Sequence, residues 1–358
     1  MRSLKRAVLP AILTAVLGLS ACGQTAESIS ASQAPEGVTI AATKAAEPTE
    51  AVATPEDPDA AFLLDIISSF PYDTERKEEY TVSEDMTVKF SGFDRMEGFD
   101  EEHAIILEFS SSDLNAETKA DISAVQREAG IREALSINGK QLSIKRGGCY
   151  ILRGEMTDGQ ILVECNEHEK IQLVLDGVSL SCSDSAPLVI HSADKALITL
   201  AADSENVLND AAKYGDESIK GCLYSESDLS INGSGSLSVN AAGGSGINSK
   251  DDIHITNGNI YIASDNNGIK GKDSVCIAGG HIMVTAKGDA IKSDKEDSTD
   301  KGYVFISGGI LNLTADDDCI QAENFVRILD DANILGRCFD KLINCDDVEG
   351  EDNIRKWI

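Results

Sequence analysis

Four polar residues recur at one place in a repeating text. Ser245, Asn267, Asp289 and Asp318 each stand two residues before an isoleucine, at Ile247, Ile269, Ile291 and Ile320. Asp340, before Leu342, extends the series. If the isoleucines stack, these side chains leave successive layers at one corner about 4.8 Å apart. Carboxylates at that separation repel, and a cation removes the cost. Calcium takes about 6–8 hard oxygens from Asp, Asn and backbone carbonyls in a tolerant geometry, whereas magnesium demands a stricter octahedron. The expectation is Ca²⁺ held by Asn267, Asp289 and Asp318, with Asp265, Asp316 and Asp317 close by. The alternative is a solvated acidic corner that folds without metal. A second acidic run, Asp294, Glu296, Asp297 and Asp300, reads either as a solvated loop or as a further ion position. No His/Cys set has zinc-like spacing.

One residue after each isoleucine come Asn248, Lys270, Lys292 and Gln321. Lysines beside a cation suit the grip of an anionic sugar. They also suit a lyase, in which the metal neutralises a uronate carboxylate and Lys270 or Lys292 takes the adjacent C–H proton. No catalytic triad or nucleophile elbow is present. Tyr261 and Phe305, with Tyr303 at a strand's start, are candidate outward platforms for sugar rings; Tyr261 is the one assigned to ligand binding.

The elements that must position these residues show in the spacing. Leu223, Ile247, Ile269, Ile291 and Ile320 form one column, separated by 24, 22, 22 and 29 residues. The longer last interval carries its excess in the loop KSDKEDSTDKG. After each column residue comes an alternating apolar strand such as Val275/Ile277, a turn such as GG at 279, and a second strand such as Ile282/Val284. Alternation at period two puts one face in and one out. Three short strands every 22 residues or so, with glycine corners, predict a parallel β-helix in which like residues stack. Looser coils are expected upstream, beginning near ILVEC at 161, with a long excursion at 204–221. Downstream the pattern is expected to decay, because Asn333 falls where an inward residue should stand.

The chain has 358 residues, a formal charge of −30 and 5% aromatics. That charge argues against a nucleic-acid partner. Arg2, Lys5 and Arg6 precede a short apolar run, too short to span a bilayer, and then Leu19-Ser20-Ala21-Cys22. This is the pattern of a lipoprotein signal, with Cys22 the lipidated first residue of the mature chain. Residues 23 to about 60 are rich in Ala, Thr, Glu, Ser and Pro, the composition of a disordered tether. The eight cysteines after Cys22 include no CxxC pair and read as reduced, buried small residues. Residues 61–140 show a strand, AIILEF, and a polar helical stretch, AETKADISAVQREAG; a cap over the first coil is the expected role.

The words GGCYILRGEMTDGQILVEC, then ENVLND, then repeated GI…I.I.GG.I.I.A…D are similar to those of the bacterial cell-surface carbohydrate-binding β-helix family, over roughly residues 136–325. The resemblance implies a right-handed parallel β-helix of pectate-lyase-like shape, calcium sites on the coils, and binding of plant-type or acidic polysaccharide. The chain departs from the pattern at Cys319, where Gly is usual, and at Asp330-Asp331, where GG is usual. The full expectation is an all-β protein. It has a signal peptide (1–21), a tether (22–60), an N-terminal cap region (61–135), a carbohydrate-binding β-helix (136–345) and a tail (346–358). It is held at the bacterial surface by a lipid anchor in the membrane, with polysaccharide as partner. A calcium-dependent polysaccharide lyase and a structural adhesin are the alternatives.

Overall fold

The computed structural model describes residues 38–42, 78–83, 86–110 and 134–357. Cys22, the signal peptide, nearly all of the tether and the stretch at 116–130 lie outside the described residues. Apart from three single-turn 3-10 segments, every regular element described is a strand. The strands form an eighteen-stranded sheet, a ten-stranded sheet and one hairpin. In the ten-stranded sheet, every pairing after the opening hairpin Leu135–Asn138/Gln141–Ile144 is parallel.

One coil is the sequence Ile269–Gly271, Ser274–Ile277, His281–Ala286, after which Ile291–Ser293 opens the next. Each strand lies parallel beside its counterpart in the following coil. The architecture is therefore all-β and β-helix-like, built from large parallel sheets. Leu223, Ile247, Ile269, Ile291 and Ile320 pair in register, and all five are fully buried. Two further inward columns run through Leu229/Ile253/Val275/Val304/Val326 and Leu237/Ile260/Ile282/Leu311/Ile334. Burying each large aliphatic side chain contributes about 1.5–3 kcal/mol.

Glycine serves two purposes. Gly280, in the turn between strands, has φ +94 and needs the freedom. Gly268 instead leaves room: a Cβ there would lie 2.3 Å from Val284 Cγ1 and 2.5 Å from the Ala290 carbonyl oxygen.

Four expectations are corrected. First, the coils do not decay near the C-terminus. Asn333 pairs with the exposed Ile310 and points outward, while Ile334 takes the inward place beside Leu311. The tail contributes strands Val348–Glu349 and Ile354–Lys356, which pair parallel with the preceding coil. Second, Ile343, not Leu342, continues the isoleucine column, so Asp340 falls out of line with Asp318. Third, Glu205–Asn209 is an ordinary coil strand paired with Ser236–Ala241, not part of an excursion.

The fourth concerns the cap region. Strand Ile105–Ser110 does extend the stack at its N-terminal end, parallel to Gly148–Met156, with Val38–Ala42 antiparallel beyond it. The hairpin Glu78–Ser83/Met86–Phe90 and the turn Phe93–Arg95 instead form a strap across the outer flank of the eighteen-stranded sheet. Val88 and Phe90 pack on Cys276, Tyr303, Phe305 and Phe325. Phe93 and Met96 pack on Cys149, Ile151, Val174 and Leu197. Phe305 and Tyr303 are thereby buried, so neither is a sugar platform. They do point away from the coil interior, as the alternation requires; the strap covers them.

Candidate functional site

The corner before the isoleucine column is a ladder. Asn267 Oδ1 accepts the Asp289 backbone N–H at 2.9 Å, Asp289 Oδ1 accepts that of Asp318 at 3.1 Å, and Asp318 Oδ1 accepts that of Lys341 at 2.9 Å. Parallel strands stacked in register bring each side chain under the next coil's amide, and a short acceptor is the side chain that reaches it. Asp289 and Asp318 are almost fully buried. Their second oxygens are also engaged: Lys292 Nζ donates to Asp289 Oδ2 at 2.8 Å, and Asn344 Nδ2 to Asp318 Oδ2 at 2.7 Å. The first role of this corner is thus to hold coil to coil.

Asp317, exposed at the rim, brings a third carboxylate. Oxygens of Asp289, Asp317 and Asp318 lie within 4.8 Å of one another. The Asp317 carboxyl is pushed above its ordinary range by the Asp289 charge, by some desolvation, and by Asp318 and Asp340. Like charges gathered this way, with lone pairs remaining on hard oxygens, fit a cation, with Asp317 the most accessible ligand. Asp265 is not part of the group. It pairs with Lys287 at 2.7 Å in a separate 570 Å³ groove lined by Asn209, Asn240, Thr285 and Thr314. Asn267 stacks beneath Asp289 but spends its oxygen on the amide. In the loop 294–300, Asp294 pairs with Lys270 at 2.5 Å and Asp300 accepts from Ser298 Oγ.

Lys270 and Lys292 do stack in adjacent strands. Each ammonium is a donor in an ion pair, Lys270 to Asp294 and Lys292 to Asp289, so neither presents a free lone pair to a substrate C–H. Tyr261 stands apart, on the other sheet, 38% exposed and edge-on to His281.

A groove of 330 Å³ opens beside the ladder on the ten-stranded sheet. Its walls carry Lys220, Lys250, Lys270 and Lys272, with the amides of Asn248, Asn266 and Asn267 between them. Lys250 pairs with Glu226 at 2.7 Å. Lys220 and Lys272 are exposed and have no ion-pair partner among the described residues. Three of these lysines were missed in the sequence. The signal was there, since Lys250 and Lys272 each stand three residues after a column isoleucine in consecutive coils.

A model of carbohydrate-binding domain-containing proteins matches residues 138–337, which is more than half of the chain and contains this groove and Asn267, Asp289 and Asp318 of the ladder. The chain belongs to the carbohydrate-binding domain family. Within it, a carbohydrate-binding domain-containing protein of Acetivibrio thermocellus is 39% identical over 244 residues, covering 67% of this chain and 84% of the relative. Among solved structures, the polysaccharide lyase-like protein from C. thermocellum, determined as a gadolinium derivative, superposes with a TM-score of 0.61 at 38% identity. That match covers 63% of this chain and 93% of the neighbour. The residues matched by the family model lie in the coil stack, and the strap precedes them.

Proposed function

We propose that this carbohydrate-binding domain is a lipid-anchored, extracytoplasmic protein that holds acidic polysaccharide, of the pectin type, along the lysine-lined groove of a calcium-loaded, right-handed β-helix. The observation that carries the ligand class is the groove itself. A chain of net charge −30 gathers four lysines around one groove, two of them outside any salt bridge among the described residues. Amide side chains between them suit sugar hydroxyls. The right hand follows from the general preference of parallel strand crossovers. Support for a cation comes from the carboxylates of Asp289, Asp317 and Asp318 and from the gadolinium derivative of the neighbour, since a lanthanide takes hard oxygen donors as calcium does. Calcium would be held by those three residues and would relieve their mutual repulsion. The anchor rests on the pattern ending at Cys22.

Binding is measured on an array of polygalacturonate, neutral glucans and proteins, with and without chelator. Polygalacturonate should bind and the protein partners of an adhesin should not. Each exposed ammonium–carboxylate contact contributes roughly 0.2–1 kcal/mol. Lys220→Ala with Lys272→Ala should therefore weaken polygalacturonate binding about two- to thirtyfold, and less as salt rises. Unchanged affinity in the double variant would remove the groove from the binding surface. Release of an unsaturated, ultraviolet-absorbing product would instead favour the lyase reading.

Calcium that binds only the folded state stabilises by about 2.7 kcal/mol at a hundredfold excess over Kd. Chelator should lower the unfolding temperature. Asp317→Ala, at an exposed position, should fold and abolish the response. A melting curve indifferent to calcium would leave the carboxylates as a coil-to-coil ladder alone.

A further inference from the structure

The strap crosses the flank of the coils with one charged side chain fully buried beneath it, Asp94. Lys195 Nζ lies 2.5 Å from Asp94 Oδ1, and Ser230 Oγ donates to the same oxygen at 2.5 Å. His254 Nδ1 lies 3.3 Å from Oδ2, which also accepts from the Ser91 N–H and hydroxyl at 2.6 and 2.8 Å. The Asp94 carbonyl oxygen accepts from Asn232 Nδ2 at 3.1 Å and Thr256 Oγ1 at 2.8 Å. These partners come from three successive coils, so one strap residue is pinned to all of them. Elsewhere the strap is held by apolar contact and by long hydrogen bonds, such as Gln172 Nε2 to the Met96 and Gly98 carbonyls, both 3.4 Å. The pin sits between its two apolar patches.

We propose that residues 78–83 and 86–99 belong to a detachable strap whose hold on the coils depends on the charge of His254, so that it lets go in alkali while the coils stay folded. The charged and titratable groups around His254 are Asp94 from the strap, Lys195 from two coils before, Asp228 from the preceding coil and the Cys276 thiol from the following one; the Phe90 ring covers it at 5.2 Å. Burial is the largest single influence and pushes the imidazole down. The Asp94 hydrogen bond, the next largest, and the contact with Cys276 together outweigh burial and the opposing charge of Lys195, leaving His254 raised from 6.5 to about 10. Burial likewise pushes the Asp94 carboxyl up, and His254 and Lys195 together drive it far below its usual range. The signs then differ. A raised histidine gives stability that is complete below pH 6.5 and lost as pH rises through about 10. A depressed carboxyl gives stability present above its ordinary value of 3.8 and lost only in strong acid. Between those limits, alkali alone loosens the pin. The coils carry no matching dependence in their apolar columns, and few contacts besides the Asp94 pin and the two apolar patches hold the strap, which makes it a unit that can open locally.

The test is hydrogen exchange on the full chain from pH 6 to pH 10, corrected for intrinsic rate, comparing residues 86–99 with the coil strands 252–306. Strap protection should fall at least tenfold relative to the coils as pH rises. In His254→Gln, which keeps a hydrogen-bond donor but does not titrate, the ratio of strap to coil protection should be flat over the same range. A constant ratio in the unmodified protein overturns the proposal without any variant. So does an equal fall in His254→Gln, which would place the titration elsewhere.

Discussion

Asp94→Ala should destabilise the protein by about 3–5 kcal/mol, the usual cost of removing one partner from a buried ion pair and leaving the other charge uncompensated. Lys195 and His254 would face each other at 3.5 Å with no anion between them, and Ser230 and the Ser91 N–H would lose their acceptor. Urea unfolding at pH 7 measures the loss. The variant should also expose the strap to protease before the coils unfold. Asp94→Asn keeps the shape and some of the hydrogen bonds, so it should cost less. A loss below 1 kcal/mol in Asp94→Ala would mean that the strap is held by its apolar patches alone.

Ile269→Ala should cost about 2–5 kcal/mol, from lost burial plus the cavity left behind. Ile269 is fully buried between Ile247 and Ile291. The surroundings have little freedom to collapse, because the neighbouring layers are fixed by main-chain pairing above and below. Because every coil touches only its neighbours, the damage should be felt first in coils 247–293. Hydrogen exchange should show those strands losing protection ahead of the two ends. Uniform loss would indicate one cooperative unit through the whole stack.

What the sequence made legible follows from the length scale of each signal. The isoleucine column, the inward strands and the line from Asn267 to Asp318 all repeat at a short interval, so they could be aligned by eye. The shift from Leu342 to Ile343 was hidden because the last coil is one residue longer than the commonest spacing. Asn333 misled because a single alternation was counted one place early, and period two reverses every face on such a slip. The strap was not legible at all. Asp94 meets Ser230 across 136 positions and Thr256 across 162, with no periodicity to announce it. Tyr303 and Phe305 were misjudged for the same reason, since their cover comes from a distant segment. In the candidate site, stacking of Lys270 on Lys292 could be read, but their ion pairs could not, and the groove emerged only when lysines of adjacent coils were placed side by side.

The corner ladder has a direction. The side-chain oxygens of Asn267, Asp289 and Asp318 each reach toward the C-terminal neighbour, so these coils offer an acceptor to the one that follows. A chain made from its N-terminus would meet, at every layer, a template finished a moment earlier. At this corner assembly would then advance like a zip with one working end, and a layer laid down in the reverse order would leave the amides of Asp289, Asp318 and Lys341 waiting for their side-chain acceptors.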